Sequence, residues 1–276
     1  MRNLRLMAAT AAALSPVTIM SEVSSCRAQP KSASSAMTVA TATENLRSAI
    51  SLHQQGRFRE AEGLYRAVLR IDDANFDCLH GIGLLHAQEG RFDDAVALLR
   101  AAVRQQPHSV EAHNNLGNVL AALGRHDEAI ASYGNAIALK PDFVAAHNNI
   151  ANAFTMQGKL SEAIAHYERA VALEPDYADA HINLAKVLNE QARLDEAIVH
   201  YQRALALKPD RAETHSELGI ALARQRKVTA AITCFRRALA LKPDFAEAWL
   251  GLGKLFHQAE LYNDAVAAYD KALNLG

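Results

Sequence analysis

Apolar residues recur along this chain at the three- and four-residue spacing of an α-helix, in segments that short polar turns separate. In residues 110–143, an apolar run through Leu120 predicts one helix, and Gly124 interrupts it. The helical spacing resumes through Tyr133 and ends at Pro141, whose ring cannot continue a helix. The segment therefore predicts two antiparallel helices joined by a tight turn.

This helix pair repeats with a period of 34 residues. The prolines that end the second helices keep that spacing at Pro107, Pro141, Pro175, Pro209 and Pro243. Such a period is typical of stacked supersecondary units, none of which can bury its apolar face alone. Seven units fit the chain, at residues 42–75, 76–109, 110–143, 144–177, 178–211, 212–245 and 246–276.

Small residues stand where the two helices of a unit must touch. In the third unit these are Gly117 on the first helix and Ala129 and Ala136 on the second. A larger side chain at any of these positions would push the helix axes beyond their usual separation of ~8–10 Å. We expect Tyr133 to fill the space beside them.

The last unit carries a recognisable set of residues: Trp249, Leu252, Gly253, Phe256, Ala265 and Tyr269. Their spacing matches the pattern W-x2-L-G-x2-Y followed by A-x3-F. The third to sixth units put histidine at the tryptophan position, as His113, His147, His181 and His215. Through these residues the chain resembles the tetratricopeptide repeat family over roughly residues 42–276. The resemblance implies an all-α fold, a right-handed superhelical solenoid of about seven helix-turn-helix repeats.

Residues 1–41 lack the period and are rich in alanine, serine and threonine. Arg2 and Arg5 precede an apolar run from Leu6 to Met20, an order that is typical of a secretory signal peptide. The alternative is a disordered leader before a cytoplasmic protein. The chain is therefore exported or periplasmic if residues 1–28 are a signal peptide and otherwise cytoplasmic, and both interpretations stay open.

A formal net charge of −1 gives no electrostatic signature of nucleic-acid binding, so we expect no nucleic-acid partner. The cysteines, at Cys26, Cys78 and Cys234, lack the paired spacing of a disulfide framework or a zinc site. The repeated histidines are expected to pack between units, because stacked helices would hold them too far apart to share one metal ion. No spacing of residues indicates a catalytic site. The sequence therefore predicts a protein without enzymatic activity, cofactor, metal site or small-molecule substrate.

Asparagine recurs on the first helices of the middle units, although its amide competes with the backbone inside a helix. This asparagine row comprises Asn114, Asn115 and Asn118, then Asn148, Asn149 and Asn152, and then Asn183 beside Lys186. In the family that the chain resembles, the first helices line the inner, concave surface. Because a side-chain amide both donates and accepts hydrogen bonds, the row predicts a groove that binds the main chain of an extended peptide.

The asparagine row also resembles the one in the repeat region of O-GlcNAc transferases, where such residues hold extended substrate peptides. The matching positions are Asn115, Asn149 and Asn183, whereas the equivalent positions in other units are Arg47, Gly81, Glu217 and Gly251. An alternative interpretation is that the asparagines are a common feature of such repeats and bind nothing.

The leading functional prediction is a non-catalytic scaffold for protein–protein interaction that binds peptide segments in this groove. The alternative is the substrate-recognition part of an O-GlcNAc-transferase-like glycosyltransferase, as the resemblance suggests for bacterial proteins, with its catalytic domain absent from this chain. No polar helix follows the last unit, so either the chain self-associates through the uncapped C-terminal repeat or it is the front part of a longer protein, and both interpretations stay open.

Overall fold

The computed structural model describes the backbone of residues 33–275 and the side chains from residue 40 onward. The predicted signal peptide over residues 1–28 lies outside the described residues. Of the predicted leader over residues 1–41, residues 1–32 also lie outside them. Residues 33–41 belong to the first helix, which is therefore longer than the helices that follow it.

The described part of the chain is all α-helical, as predicted, and it contains no strand. Its helices are α1 (Ala33–Gln54), α2 (Phe58–Leu69), α3 (Phe76–Gln88), α4 (Phe92–Gln105), α5 (Val110–Ala122), α6 (His126–Leu139), α7 (Val144–Met156), α8 (Leu160–Leu173), α9 (Ala178–Glu190), α10 (Leu194–Leu207), α11 (Ala212–Arg224), α12 (Val228–Leu241), α13 (Ala246–Gln258) and α14 (Tyr262–Leu273). Each predicted internal repeat boundary falls immediately before an odd-numbered helix, and the boundaries themselves stay a prediction. Among the described helices, none combines the length and the hydropathy that a membrane crossing requires.

The helices fall into two compact units, of which the first ends at Ala153 and the second begins at Phe154. In the first unit, α1 packs on α2, α3 on α4 and α5 on α6, and each even-numbered helix also contacts the helix that follows it up to α5. The second unit repeats this arrangement from α8 to α14. In both units, first helices of consecutive repeats contact each other, α3 with α5 and α11 with α13 among them. Polar side chains on adjacent first helices can therefore reach one another.

The turn inside each repeat needs one residue in the left-handed region of backbone space. Glycine takes this position in the first four repeats, with φ between 73° and 77° at Gly56, Gly90, Gly124 and Gly158. Ala192, Arg226 and Glu260 adopt the same conformation, with φ of 59° to 61°. The turn is thus kept where the glycine is lost, at the steric cost of about 1–2 kcal/mol that a side chain carries in this region.

The predicted contact between Gly117 and Tyr133 is confirmed. A Cβ atom built on Gly117 would lie 2.5 Å from the Tyr133 ring, so the ring occupies the space that a side chain would need. Gly253 and Tyr269 repeat this contact in the second unit, also at 2.5 Å. Ala129 is fully buried, as the prediction requires. Glycine and aromatic ring therefore fit together across the two helices of a repeat.

Candidate peptide-binding surface

Asn115 lies half-buried on α5 and is bound to the preceding repeat. Its side-chain Nδ2 donates a hydrogen bond to Nε2 of His80 on α3, at 3.1 Å. The His80 ring stacks on Phe76, with 5.4 Å between the ring centres. His80 stands 34 residues before Asn114, so the repeat period marks its position, although its residue type did not suggest a member of the row.

Asn149 on α7 makes the equivalent bonds one repeat later. Its Nδ2 donates to Oδ1 of Asn114 at 3.1 Å and to Oδ1 of Asn118 at 3.0 Å. The bonds from Asn149 to Asn114 and from Asn115 to His80 both span 35 positions, which makes them copies of one contact. The structure thus brings Asn114, Asn118 and Asn149 together in a network that joins two repeats.

Asn114 and Asn148 do not lie at the surface. Only 4% of Asn114 and 5% of Asn148 is exposed, so neither side chain can contact a peptide in the groove. This corrects the sequence prediction, which placed both among the groove residues. Neighbouring positions on a helix point about 100° apart, so Asn114 turns into the wall when Asn115 faces outward. The two buried amides belong to the packing between the helices. The candidate contact residues are the other members of the predicted site.

Hydrogen-bonding capacity remains unused on α5. Oδ1 of Asn118 accepts from the Tyr133 hydroxyl at 2.8 Å and from Asn149, while its Nδ2 is buried and has no partner among the described residues. Asn115 uses its Nδ2 on His80, which leaves its Oδ1 as an acceptor. Burial raises the pKa of Tyr133, so its hydroxyl stays protonated and remains a donor. The Asn115 Oδ1 acceptor therefore remains available to a ligand, whereas the Asn118 Nδ2 donor lies buried one helical turn away.

The second unit holds the remaining residues of the predicted site. Asn183 lies half-buried on α9, and Lys186 is exposed one turn further along, with its Nζ 4.0 Å from a Glu217 carboxylate oxygen on α11. Nearby on α9, Asp179 pairs with Lys208 at 3.2 Å and with Arg211 at 2.5 Å. Asn152, on the part of α7 that belongs to the first unit, is exposed. In the second unit, ion pairs thus join α9 to α11 and to the loop that precedes α11.

The histidines at the tryptophan position share one role. A ring Nε2 lies within hydrogen-bond distance of the carbonyl oxygen of the proline six residues earlier, for His113–Pro107, His147–Pro141, His181–Pro175 and His215–Pro209. In the last repeat, Nε1 of Trp249 donates to the Pro243 carbonyl at 3.0 Å. Imidazole and indole can both supply the ring N–H that binds the end of the preceding helix, which explains why one replaces the other. The described residues contain no group of three or more side chains placed to hold a metal ion.

His80 should make the stability of the first unit depend on pH. Burial of the ring, with His53 nearby, lowers the pKa of His80 to about 4, against about 6.5 in an unfolded chain. Between these values the unfolded chain binds more protons, so stability rises with pH and is lost as the pH falls from about 6.5 towards 4. We expect the loss to be about 3 kcal/mol for this residue.

The matched variant is His80→Asn, because asparagine stands at the equivalent position in the next two repeats. Urea unfolding of both proteins at several pH values should show a steeper pH dependence for the wild type. Parallel curves for the two proteins would contradict a role for His80.

Two family models match the chain. One, described as tetratricopeptide repeat, covers residues 80–142 and 216–276, and a second, described as TPR repeat, covers residues 151–192 and 186–226. No curated protein matches the sequence at a significant level.

Solved structures show the same fold. The chain is similar to YrrB, a TPR protein with an unusual peptide-binding site, at 22% identity over 64% of this chain and 91% of YrrB, with a TM-score of 0.58. It is similar to MamA at 26% identity over 59% of this chain and 95% of MamA, with a TM-score of 0.56. For pilF of Pseudomonas aeruginosa the identity is 17%, the coverage 81% and 99%, and the TM-score 0.68. With its helix pairs and these matches, the chain belongs to the tetratricopeptide repeat family.

Proposed function

We propose that this chain is a non-catalytic scaffold that binds an extended peptide segment of another protein along α5. The observation that carries the proposal is the unused Oδ1 acceptor of Asn115 on that helix, whose amide is held in place by the bond from its Nδ2 to His80. Each non-proline residue of a ligand has a main-chain N–H, which this acceptor can bind whatever side chain the residue carries. YrrB is described as having a peptide-binding site, which supports the same class of partner.

The two amides are held in place before any ligand arrives. Asn115 is fixed by its bond to His80, and Asn118 accepts from both Tyr133 and Asn149. Fixing these rotamers in the free protein reduces the side-chain entropy that binding would otherwise cost, by about 0.5–1.5 kcal/mol for each side chain. Binding through the main chain tolerates varied ligand sequences, and we expect affinities near 1 μM, equivalent to about −8 kcal/mol.

The test compares one double replacement with one single replacement, both within the third repeat. Peptides selected from a random library on the wild-type protein are titrated against the Asn115→Ala/Asn118→Ala variant, and we expect binding at least about tenfold weaker. The matched control is Asn135→Ala, which removes the same amide from the exposed face of α6 in that repeat. Circular dichroism checks that both variants stay helical. Equal affinity of all three proteins for the selected peptides would refute the proposal.

The glycosyltransferase alternative stays a prediction, because a surface that holds a peptide main chain would also suit substrate recognition. Sugar transfer to a bound peptide by the purified chain would contradict the non-catalytic proposal. The two hypotheses share the peptide-binding surface, so the asparagine variants test that surface under either of them.

Self-association remains part of the proposal. On α14, 57% of Val266 and 76% of Leu273 is exposed, whereas Val96 and Leu239, at the equivalent positions of earlier repeats, are buried. An apolar face of this kind favours contact with another copy of the chain. Light scattering should show a mass that rises with concentration for the wild type and stays monomeric for Leu273→Glu. A wild-type protein that remains monomeric at high concentration would contradict this part.

A further inference from the structure

Two polar residues replace an apolar pair that the other repeats keep. Glu62 stands where the later repeats have Val96, Ile130, Ile164, Ile198, Ile232 and Val266. His86 stands where the others have Leu52, Leu120, Phe154, Leu188, Leu222 and Phe256. Burying polar groups in place of apolar ones costs stability unless each finds a partner. Such a replacement, made at both positions together, calls for a reason other than stability.

The two side chains are bonded to each other. Nε2 of His86, on α3, donates to Oε1 of Glu62, on α2, at 3.2 Å, and Arg66 donates to the same oxygen at 2.7 Å. The other ring nitrogen of His86, Nδ1, is buried and has no hydrogen-bond partner among the described residues. Only 5% of His86 is exposed. With the proton on Nε2, Nδ1 is an acceptor that lacks a donor.

His86 lines a cavity of about 360 Å³, defined here as the His86 pocket. Leu69, Ile82 and Leu98 form its apolar wall. Asp94, on α4, lines the same cavity, and its Oδ2 lies 3.9 Å from the unpartnered Nδ1. The volume is large enough for a single amino-acid side chain, and the acceptor nitrogen and the carboxylate lie side by side.

The charges around the pocket favour a cation. Arg66 and Arg91 also line the pocket, but each is paired with a carboxylate just outside its lining, Arg66 with Glu62 and Arg91 with Glu89, both at 2.7 Å. Asp94 adds a third carboxylate, so these groups carry a net charge of −1 when His86 is neutral. A group that binds between Nδ1 and Asp94 must donate two hydrogen bonds. It binds more strongly if it is positively charged, because its hydrogen bond to the carboxylate is then charge-assisted.

We infer that the His86 pocket binds a primary ammonium group on an alkyl arm, which donates to His86 Nδ1 and to Asp94 while its methylenes cover the apolar wall. A lysine side chain of a partner protein and a free polyamine both present this group. The site lies among α2, α3 and α4 and does not use the asparagines of α5, so it is independent of the proposed peptide-binding surface.

The experiment titrates the full chain with two probes, Nα-acetyl-lysine amide and cadaverine, by calorimetry and by the NMR signals of the His86 ring. We expect saturable binding of the probes, and a loss of about tenfold or more in affinity for Asp94→Asn. The matched control, Asp93→Asn, neutralises the neighbouring exposed carboxylate, which does not line the pocket, and should bind as the wild type does. Acetylation of the probe's amine should abolish binding, because it removes the charge and two of the three donors.

A second variant tests the same site with a replacement that should not disturb the fold. Glu62→Ile/His86→Leu installs the apolar pair of the other repeats, so it should fold and yet lose the probes. Tighter binding of the lysine amide identifies a partner's lysine as the source, and tighter binding of cadaverine identifies a polyamine. No saturable binding by the wild type up to about 20 mM, or undiminished binding by the double variant, would overturn the inference.

Discussion

Replacing Tyr133 with alanine is expected to lower the free energy of unfolding by about 4 kcal/mol. The ring is buried and lies against Gly117, which has no side chain that could move into the space left behind. The loss therefore combines the transfer of an aromatic ring to water with a cavity that cannot collapse. The hydrogen bond from the Tyr133 hydroxyl to Asn118 is lost as well. Urea unfolding followed by circular dichroism measures the change.

Tyr133→Phe separates the ring from the hydroxyl. It keeps the contact with Gly117 and should cost about 1 kcal/mol, the net contribution of one hydrogen bond. It should also loosen Asn118 and weaken binding of the selected peptides, because one of the bonds that fixes the amide is gone. If alanine cost no more than phenylalanine, the ring would not be the main source of stability at this contact.

The second large effect is expected from Glu62 and His86 taken together. Glu62→Ile alone removes the only hydrogen-bond partner that the His86 ring has among the described residues. This should cost about 2–3 kcal/mol, because the buried imidazole then has both nitrogens unpaired. His86→Leu alone should cost less, since Glu62 keeps Arg66. The double variant should be at least as stable as the wild type, because a well-packed apolar pair replaces a buried polar pair.

The four proteins form a double-mutant cycle, with an expected interaction energy of about 2 kcal/mol. A control cycle on Arg57 and Glu60, an exposed ion pair at 2.5 Å, should give a much smaller interaction energy, because solvent screens the two charges. Additive effects of Glu62→Ile and His86→Leu would mean that the two side chains do not depend on each other.

The fold could be predicted from the sequence because the same sequence pattern recurs in every repeat. Each helix pair repeats the same apolar spacing, so an error in one repeat is corrected by the others, and a contact such as Gly117–Tyr133 follows from residue size alone. The turns at Ala192 and Glu260 show that neighbouring repeats can impose the backbone conformation even where the preferred glycine is absent.

The candidate surface could be predicted only in part. The period places Asn114 and Asn115 on the right helix, but it does not determine which of two adjacent side chains faces outward, and Asn114 turned out to be buried. His80 could not be recognised by residue type, because it is a histidine at the position where the next two repeats have asparagine. The Glu62–His86 pair could not be predicted from the repeat pattern either, because both residues are polar at positions where the other repeats are apolar.

The bond from Trp249 to the Pro243 carbonyl has a practical consequence for how the molecule can be observed. This indole is the single tryptophan of the chain, and its bond anchors the last repeat to the end of the preceding one. Its emission therefore reports on one end of the array, while the far-ultraviolet signal averages over every helix. Two melting curves recorded on one sample would reveal whether the array comes apart as a whole or frays from that end.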